Sequence, residues 1–166
     1  MTTSPSAKTT LPERAPVVVI GGGIIGVSTL YHLARKGVEG AVLVERKQLA
    51  SGTTWHAAGI VGQLRESGSQ TALSKYTARL FTELEAETGQ ATGYKQNGTL
   101  HLALSGLRME QLLRNHDHAR RMEIESHILD VAELEKLWPL VSYEGVRGGF
   151  FVPSNGQVNP LDVTQA

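Results

Sequence analysis

Three glycines and one carboxylate are spaced so that they could hold the pyrophosphate and ribose of a dinucleotide. Gly21, Gly23 and Gly26 follow an apolar run, and Glu45 ends the next apolar run. Gly21 allows a tight turn, Gly23 lets the backbone approach the phosphates, and Gly26 lets a helix pack closely on the sheet. The Glu45 carboxylate can accept both hydroxyl protons of an adenosine ribose. The spacing therefore predicts a dinucleotide site.

The start of the following helix adds backbone donors to this site. Ile24 and Ile25 open the helix, whose N-terminus presents unpaired N–H groups and a positive dipole end to an anion. Glu45 would repel a 2′-phosphate, whereas Arg46 beside it is one way to tolerate that group. These residues leave NAD, NADP and FAD open, with Glu45 arguing against NADP. The alternative without a ligand is an ordinary strand-to-helix turn.

Small and hydroxyl-bearing residues follow the next predicted strand. Their hydroxyls could donate hydrogen bonds to phosphate or ring oxygens, and two alanines, a Trp and a His are unusual in a merely solvated loop. A glycine- and threonine-rich surface loop is the alternative, in which the histidine only packs. The candidate cofactor contacts are Ser51, Gly52, Thr53, Thr54, His56, Ala57, Ala58 and Gly59.

A βαβ unit must position the glycine turn with Glu45 and the loop over 51–59. The run 17–20 is continuously apolar and β-branched, which predicts a parallel strand buried on both faces. A helix is predicted over 23–36, with a C-terminal glycine at Gly37, and a second buried strand over 41–44. The fold class is therefore α/β, with a Rossmann-like cofactor domain.

Further along the chain, helical and strand patterns mix. Asp130 and Glu133 are spaced as a capping box, and Asn159 followed by Pro160 predicts another helix start. Together these patterns indicate an α+β region. The predicted helices cover 71–88, 107–121 and a short segment from Asp130 to Trp138, and the predicted strands cover 99–104 and 149–152.

Composition excludes several classes of function. The 166 residues are 40% apolar, contain 16 basic and 16 acidic side chains, and lack cysteine. The balanced charge provides no field for nucleic acid, and the absence of cysteine excludes disulfides and thiolate chemistry. No stretch is long enough to span a membrane, and His116 and His118 are spaced unfavourably for a metal pair. The polar N-terminus predicts a cytoplasmic protein, with the mitochondrial matrix as the alternative.

Several segments carry a family resemblance. VVVIGGGIIGVSTLYHLARKG, VLVERKQLASGTTWHAAG and GGFFVPSNGQVNPLDVTQA resemble the D-amino-acid oxidase superfamily of flavoproteins, and most closely its dimethylglycine/sarcosine dehydrogenase branch. The resemblance implies FAD as cofactor and a secondary or tertiary N-methyl amine as substrate. It implies that Gly21, Gly23 and Gly26 hold the pyrophosphate and Glu45 the ribose, with Arg46 beside the adenosine. It also implies that residues 51–59 pass along the phosphates and isoalloxazine, with a covalent flavin link at His56.

The residue patterns and the resemblance together predict a domain plan. A disordered lead-in over 1–14 precedes the first part of the FAD-binding domain over 15–90. Residues 91–155 would begin a substrate domain, and 156–166 would return to the FAD domain. The chain is predicted to be the N-terminal piece of a longer enzyme and to be inactive alone, and no catalytic base is identified among its residues. The electron acceptor would be oxygen or an electron-transfer flavoprotein. The alternatives are a non-catalytic regulatory subunit of the same superfamily and an NAD-binding dehydrogenase.

Overall fold

The computed structural model describes residues 12–166, so most of the lead-in predicted over 1–14 lies outside the described residues. The described residues form two compact units, one ending at Trp55 and the other beginning at His56. The first unit contains β1 (Val18–Ile20), α1 (Ile24–Arg35) and β2 (Val42–Val44). A short 3-10 helix, Thr54–His56, contains the boundary. The second unit contains, in chain order, β3 (Ile60–Val61), α2 (Gly68–Thr88), β4 (Thr99–Ala103), α3 (Gly106–Arg121), β5 (His127–Leu129), α4 (Val131–Leu137), β6 (Gly148–Val152), β7 (Gly156–Gln157) and α5 (Pro160–Gln165).

The first unit is the predicted βαβ unit. β1 and β2 pair in parallel, with Val18 opposite Val42, and α1 connects them. Gly37 adopts φ +79° and donates its N–H to the Ala34 carbonyl at 2.9 Å, which ends the helix as predicted. The α/β class is thus confirmed.

The prediction that the first strand is buried on both faces is wrong for the described residues. Val18 is 54% exposed and Ile20 is 85% exposed. Side chains alternate along a strand, and Val19 points toward α1, where its Cγ1 lies 3.5 Å from the position a Cβ would take at Gly26. Val18 and Ile20 therefore point to the opposite face, which no described element of the first unit covers.

The second unit is built on an antiparallel sheet in the order β4-β6-β5. Phe150 of the central strand lies opposite His101 and Ile128. Ala103, Phe150 and Val152 share one face, since they are in register at alternate positions. That face packs against α3 to form the core, whose fully or nearly buried members are Ala103, Leu112, Ala119, Ile124, Phe150 and Val152.

Side-chain caps explain where the helices begin. The Ser67 hydroxyl accepts from the Gln70 N–H at 3.3 Å, so α2 begins at Gly68, three residues before the predicted start. Asp130 and Glu133 form the predicted capping box, each side chain accepting from the other's N–H at 2.9 Å. The Asn159 side chain accepts from the Leu161 N–H at 2.9 Å and starts α5, as predicted.

Three short strands were not predicted from the sequence. β3 pairs antiparallel with β7, with Ile60 opposite Gln157, and β5 pairs with the central strand. Strands of two or three residues are too short to show an alternating pattern. Their pairing partners lie up to about a hundred residues away, so only the fold reveals them. Within residues 12–166, no helix has the length and apolar content needed to cross a membrane.

The Tyr94 hydroxyl provides a test of packing in the second unit. It is buried, and no hydrogen-bond partner for it exists among the described residues, while the ring packs edge-on against Phe81. Burial raises the pKa of this hydroxyl, because the charged form would be poorly solvated. Tyr94→Phe removes an unpaired polar atom, so we expect the free energy of unfolding to stay constant or rise by about 1 kcal/mol.

Tyr143→Phe is the matched control. Its hydroxyl lies 3.0 Å from the Leu134 carbonyl oxygen and 2.9 Å from that of Trp138. Its removal should lower the free energy of unfolding by about 1 kcal/mol or more. Urea unfolding of both variants measures the difference, and a larger loss for Tyr94→Phe than for Tyr143→Phe would contradict the prediction.

Candidate functional site

A carboxylate at the end of β2 is bonded directly to the glycine turn. Glu45 Oε2 accepts from the Gly22 N–H at 2.7 Å, and Oε1 accepts from the Lys47 N–H at 2.9 Å. The Gly22 bond, followed by that from Lys47, lowers the pKa of Glu45 below its ordinary value of 4.5. Glu45 is therefore ionised at neutral pH with a fixed orientation. Each oxygen has further lone pairs with which it can accept a ribose hydroxyl.

The loop after β2 is also tied to the turn. The Ala50 N–H donates to the Gly22 carbonyl at 2.8 Å, and the Ile24 N–H donates to Thr54 Oγ1 at 3.1 Å. Ala50 is only 1% exposed and adopts φ +60°, a left-handed conformation that is uncommon for alanine. Thr54 thus reaches the first turn of α1 because Ala50 bends the loop back toward Gly22.

The glycines of the turn are required for different reasons. Gly21 has φ +104°, which side chains rarely adopt, and donates its N–H to the Val44 carbonyl at 2.9 Å. A Cβ at Gly26 would lie 1.9 Å from the Gly21 carbonyl oxygen, and one at Gly23 would lie 3.0 Å from Thr54 Oγ1. Gly26 therefore permits close packing of helix and turn, as its spacing suggests.

The start of α1 suits an anion. Its N-cap, Gly23, makes no side-chain capping bond, and its first turn contains no acidic residue. Backbone N–H groups at a helix start attract negative charge through their dipoles. No atom lies within 4 Å of where a Cβ at Gly21 would stand, so the turn is open there. These observations fit the pyrophosphate of a dinucleotide such as FAD.

Several other predicted contacts lie beside this turn, and two of them bond within it. The Arg46 N–H donates to the Glu45 carboxylate and helps to lower its pKa, and the Ile24 N–H donates to Thr54 Oγ1 at 3.1 Å. Arg46 and the segment Ser51, Gly52 and Thr53 are exposed, and the Ser51 N–H donates to the Gln48 carbonyl at 3.2 Å. Ile24 lies at the first position of α1, and Ile25 beside it is 81% exposed. Their roles toward a cofactor remain predictions.

The remaining predicted contacts belong to the second unit. His56, Ala57 and Ala58 are exposed, and Gly59 leads directly into β3. The Gly59 carbonyl accepts from the Val158 N–H at 2.8 Å, and a Cβ at Gly59 would lie 2.1 Å from the Val158 carbonyl oxygen. This segment is thus positioned by the antiparallel pair of β3 and β7.

Two residues of the first unit were missed by sequence reasoning. Gly22 is buried and makes the bonds that join Glu45 and Ala50 to the turn. A Cβ at Gly22 would lie 2.6 Å from Leu49 Cδ2. Three consecutive glycines are the available signal for Gly22, whereas the sequence contains no sign of the left-handed Ala50.

Comparison with known proteins identifies the class. The family model "FAD dependent oxidoreductase" (DAO) matches residues 16–166. The chain belongs to this family of flavoproteins. A crystal structure of L-proline dehydrogenase from P. horikoshii matches with a TM-score of 0.86 and 26% identity, covering 93% of this chain and 41% of that one. The Rossmann-like assignment is confirmed by this match.

Individual relatives with known names are similar to this chain in sequence. Human mitochondrial sarcosine dehydrogenase is 46% identical over 151 residues, covering 90% of this chain and 16% of the relative. Human mitochondrial dimethylglycine dehydrogenase is 34% identical, with 97% and 19% covered. The mitochondrial pyruvate dehydrogenase phosphatase regulatory subunit of Mus musculus is 36% identical, with 94% and 18% covered. This chain therefore spans less than a fifth of the length of these relatives.

The Gly26 contact predicts a steric effect. Gly26→Ala would force a methyl group against the Gly21 carbonyl, so we expect the fold to lose about 1–3 kcal/mol of stability. Gly106→Ala is the control, because no atom lies within 4 Å of a Cβ there. In the full-length gene product, the midpoint temperature of thermal unfolding and the amount of bound flavin should be lower for Gly26→Ala, and unchanged for Gly106→Ala. Equal stability of the two variants would contradict the packing argument.

The lowered pKa of Glu45 predicts a pH dependence. A carboxyl whose pKa is depressed by folding contributes stability above its unfolded pKa, and that stability disappears as pH falls through the folded pKa. Glu45→Gln should therefore be less stable than the wild type at pH 7, with the difference shrinking as the pH falls below 4.5 and disappearing only below the lowered pKa of the folded protein. Thermal unfolding from pH 7 to pH 3 measures it. A difference that persists unchanged at pH 3 would show that the charge is not responsible.

Proposed function

We propose that this chain supplies the FAD-binding start of an enzyme that oxidises a secondary or tertiary N-methyl amine of the sarcosine or dimethylglycine type. The observation that carries the cofactor assignment is the Glu45 carboxylate, held against the glycine turn by the Gly22 N–H at 2.7 Å. The substrate class rests on the relatives named sarcosine and dimethylglycine dehydrogenase. The family match argues against an NAD-binding dehydrogenase.

The residues of the first unit divide the work of holding the cofactor. Glu45 would accept the ribose hydroxyls, and Gly21, Gly23 and the N–H groups of Ile24, Ile25 and Gly26 would face the pyrophosphate. Arg46 would lie beside the adenosine. When bound, the flavin supplies the redox step by accepting a hydride from the carbon next to the amine nitrogen. The chain supplies binding and orientation.

The loop over 51–59 would continue along the flavin. Ser51, Gly52, Thr53 and Thr54 would line the phosphates, and Ala57, Ala58 and Gly59 the isoalloxazine. In this proposal His56 would be the residue that holds the flavin covalently at its 8α carbon, a role that requires the neutral imidazole because a protonated ring nitrogen has no lone pair to offer. Gly59, fixed against Val158, would anchor this segment.

A second candidate is a regulatory subunit without amine oxidation, favoured by the similarity to the phosphatase regulatory subunit. Reduction of the bound flavin by an N-methyl amine would distinguish the enzyme from the regulatory subunit. We expect the full-length gene product to be yellow and its visible flavin absorbance to bleach anaerobically on addition of sarcosine or N,N-dimethylglycine. Glycine, which lacks an N-methyl group, is the control. Bound flavin that no N-methyl amine bleaches would favour the regulatory role.

The covalent link is tested separately. Acid precipitation should leave the flavin colour with the full-length protein, and His56→Ala should release it into the supernatant. His118→Ala is the matched control; its imidazole Nε2 lies 2.9 Å from the Arg65 carbonyl oxygen in the second unit. Complete release of flavin from the wild-type protein would rule out the covalent link while leaving the FAD assignment intact.

The cellular location and the electron acceptor of the protein each have two candidates. The relatives are named as mitochondrial proteins, which supports a mitochondrial location, whereas the composition of the N-terminus supports the cytoplasm. Oxygen and an electron-transfer flavoprotein are the two candidate electron acceptors. Reduced protein that reoxidises in air at the turnover rate would identify oxygen.

A further inference from the structure

A cavity of about 750 Å³, open to solvent and lined by apolar and charged side chains, lies in the second unit between α2 and the C-terminal end of α3. Its volume falls in the range of small-molecule sites, roughly 300–1,000 Å³. None of its lining residues is among the predicted cofactor contacts. Its lining includes Lys75, Arg79, Arg121 and Glu123, so three cationic groups surround the space with one carboxylate.

The positive charge in this cavity is only weakly compensated. Lys75 Nζ donates to the Met122 carbonyl at 3.0 Å, which fixes the ammonium group but leaves its charge in place. Arg79 pairs with Glu83 at 3.8 Å, and both side chains are more than half exposed. Such surface pairs are weak, since water screens them. The cavity is therefore a local positive region in a chain whose formal net charge is zero.

One wall of the cavity is held in place by carboxamides. The Ser154 carbonyl oxygen accepts from Gln63 Nε2 at 2.7 Å and from Gln96 Nε2 at 2.9 Å. The Gln63 N–H in turn donates to Asn155 Oδ1 at 2.9 Å. Because both amide groups donate to the protein, their orientation is fixed, and their carbonyl oxygens are acceptors suited to a hydroxyl group of a ligand rather than to its anionic groups.

Glu123 lies in this cavity at a backbone position that disfavours it. It follows α3 with φ +54°, its N–H donates to the Arg120 carbonyl at 3.1 Å, and Ile124 donates to the Ala119 carbonyl at 2.9 Å. Glycine usually occupies this position, since side chains are strained there. Within residues 12–166, no ion pair shorter than 4 Å joins Glu123 to the three cations. The two backbone bonds account for the left-handed helix end, whereas no ion pair of the described residues accounts for a glutamate side chain at this position.

We propose that this cavity binds a small polar organic anion carrying at least two negative charges. Lys75, Arg79 and Arg121 neutralise its anionic groups, and Tyr76, Ser154 and the carboxamides contact its polar body. Glu123 repels the anionic groups and so orients the ligand toward the cationic side. Inorganic phosphate alone would fill only a small part of the space, so the organic body contributes to binding.

Calorimetric titration of the full-length gene product at low ionic strength tests this assignment, with citrate, inorganic phosphate and neutral glycerol as probes. We expect citrate to bind more tightly than phosphate, and glycerol to show no binding. Arg121→Gln should weaken citrate binding, and Glu123→Gln should tighten it, each by about fivefold for a charge near 4 Å in water. Arg114→Gln, on the same helix and paired with Glu110, is the control and should not change the affinity.

The opposite signs of the two variants make the test specific. Misfolding would weaken citrate binding in both Arg121→Gln and Glu123→Gln, and thermal unfolding of each variant would detect it. If Arg121→Gln is misfolded, Arg79→Gln replaces it as the variant that removes a positive charge. The proposal is overturned if neither citrate nor phosphate binds, if phosphate binds more tightly than citrate, or if the Arg121, Glu123 and Arg114 variants all bind citrate equally. The titration requires no flavin, so its outcome is independent of the proposed amine oxidation.

Discussion

The first unit depends on one hydrogen bond, the 2.7 Å contact from the Gly22 N–H to the Glu45 carboxylate. It joins the turn after β1 to the end of β2, which are separated by the whole of α1. The carbonyl oxygen of the same glycine accepts from the Ala50 N–H. Through its N–H and its carbonyl, Gly22 therefore connects the turn to both Glu45 and the loop that follows β2. The bond also keeps the carboxylate ionised, because its pKa is lowered by the donors that surround it.

This arrangement places donor and acceptor functions side by side. The start of α1 presents N–H groups that attract an anion, while Glu45 presents only acceptors. A dinucleotide needs both, since its phosphates accept and its ribose hydroxyls donate. One donor at the helix start is already occupied, because the Ile24 N–H donates to the Thr54 hydroxyl. A bound phosphate would share or replace this contact.

Much of this framework could be predicted from the sequence, because its determinants are local. The βαβ unit, the helix ends at Gly37 and Asn159, and the capping box at Asp130 follow from residue types at fixed short spacings. The family followed from longer motifs and was confirmed. The burial of β1 on both faces was predicted wrongly, since an apolar run indicates a strand suited to burial, whereas no described element of the first unit covers Val18 and Ile20.

The features that escaped prediction depend on contacts between distant residues. β3 and β7 pair across nearly a hundred residues, and the bond from the Gln63 N–H to Asn155 reinforces this pairing. Neither strand has a pattern long enough to be noticed. Yet Gly59 and the segment before it depend on this pairing, because a side chain at Gly59 would collide with the Val158 carbonyl. The position of the segment that contains His56 therefore depends on Val158, about a hundred residues further along the chain.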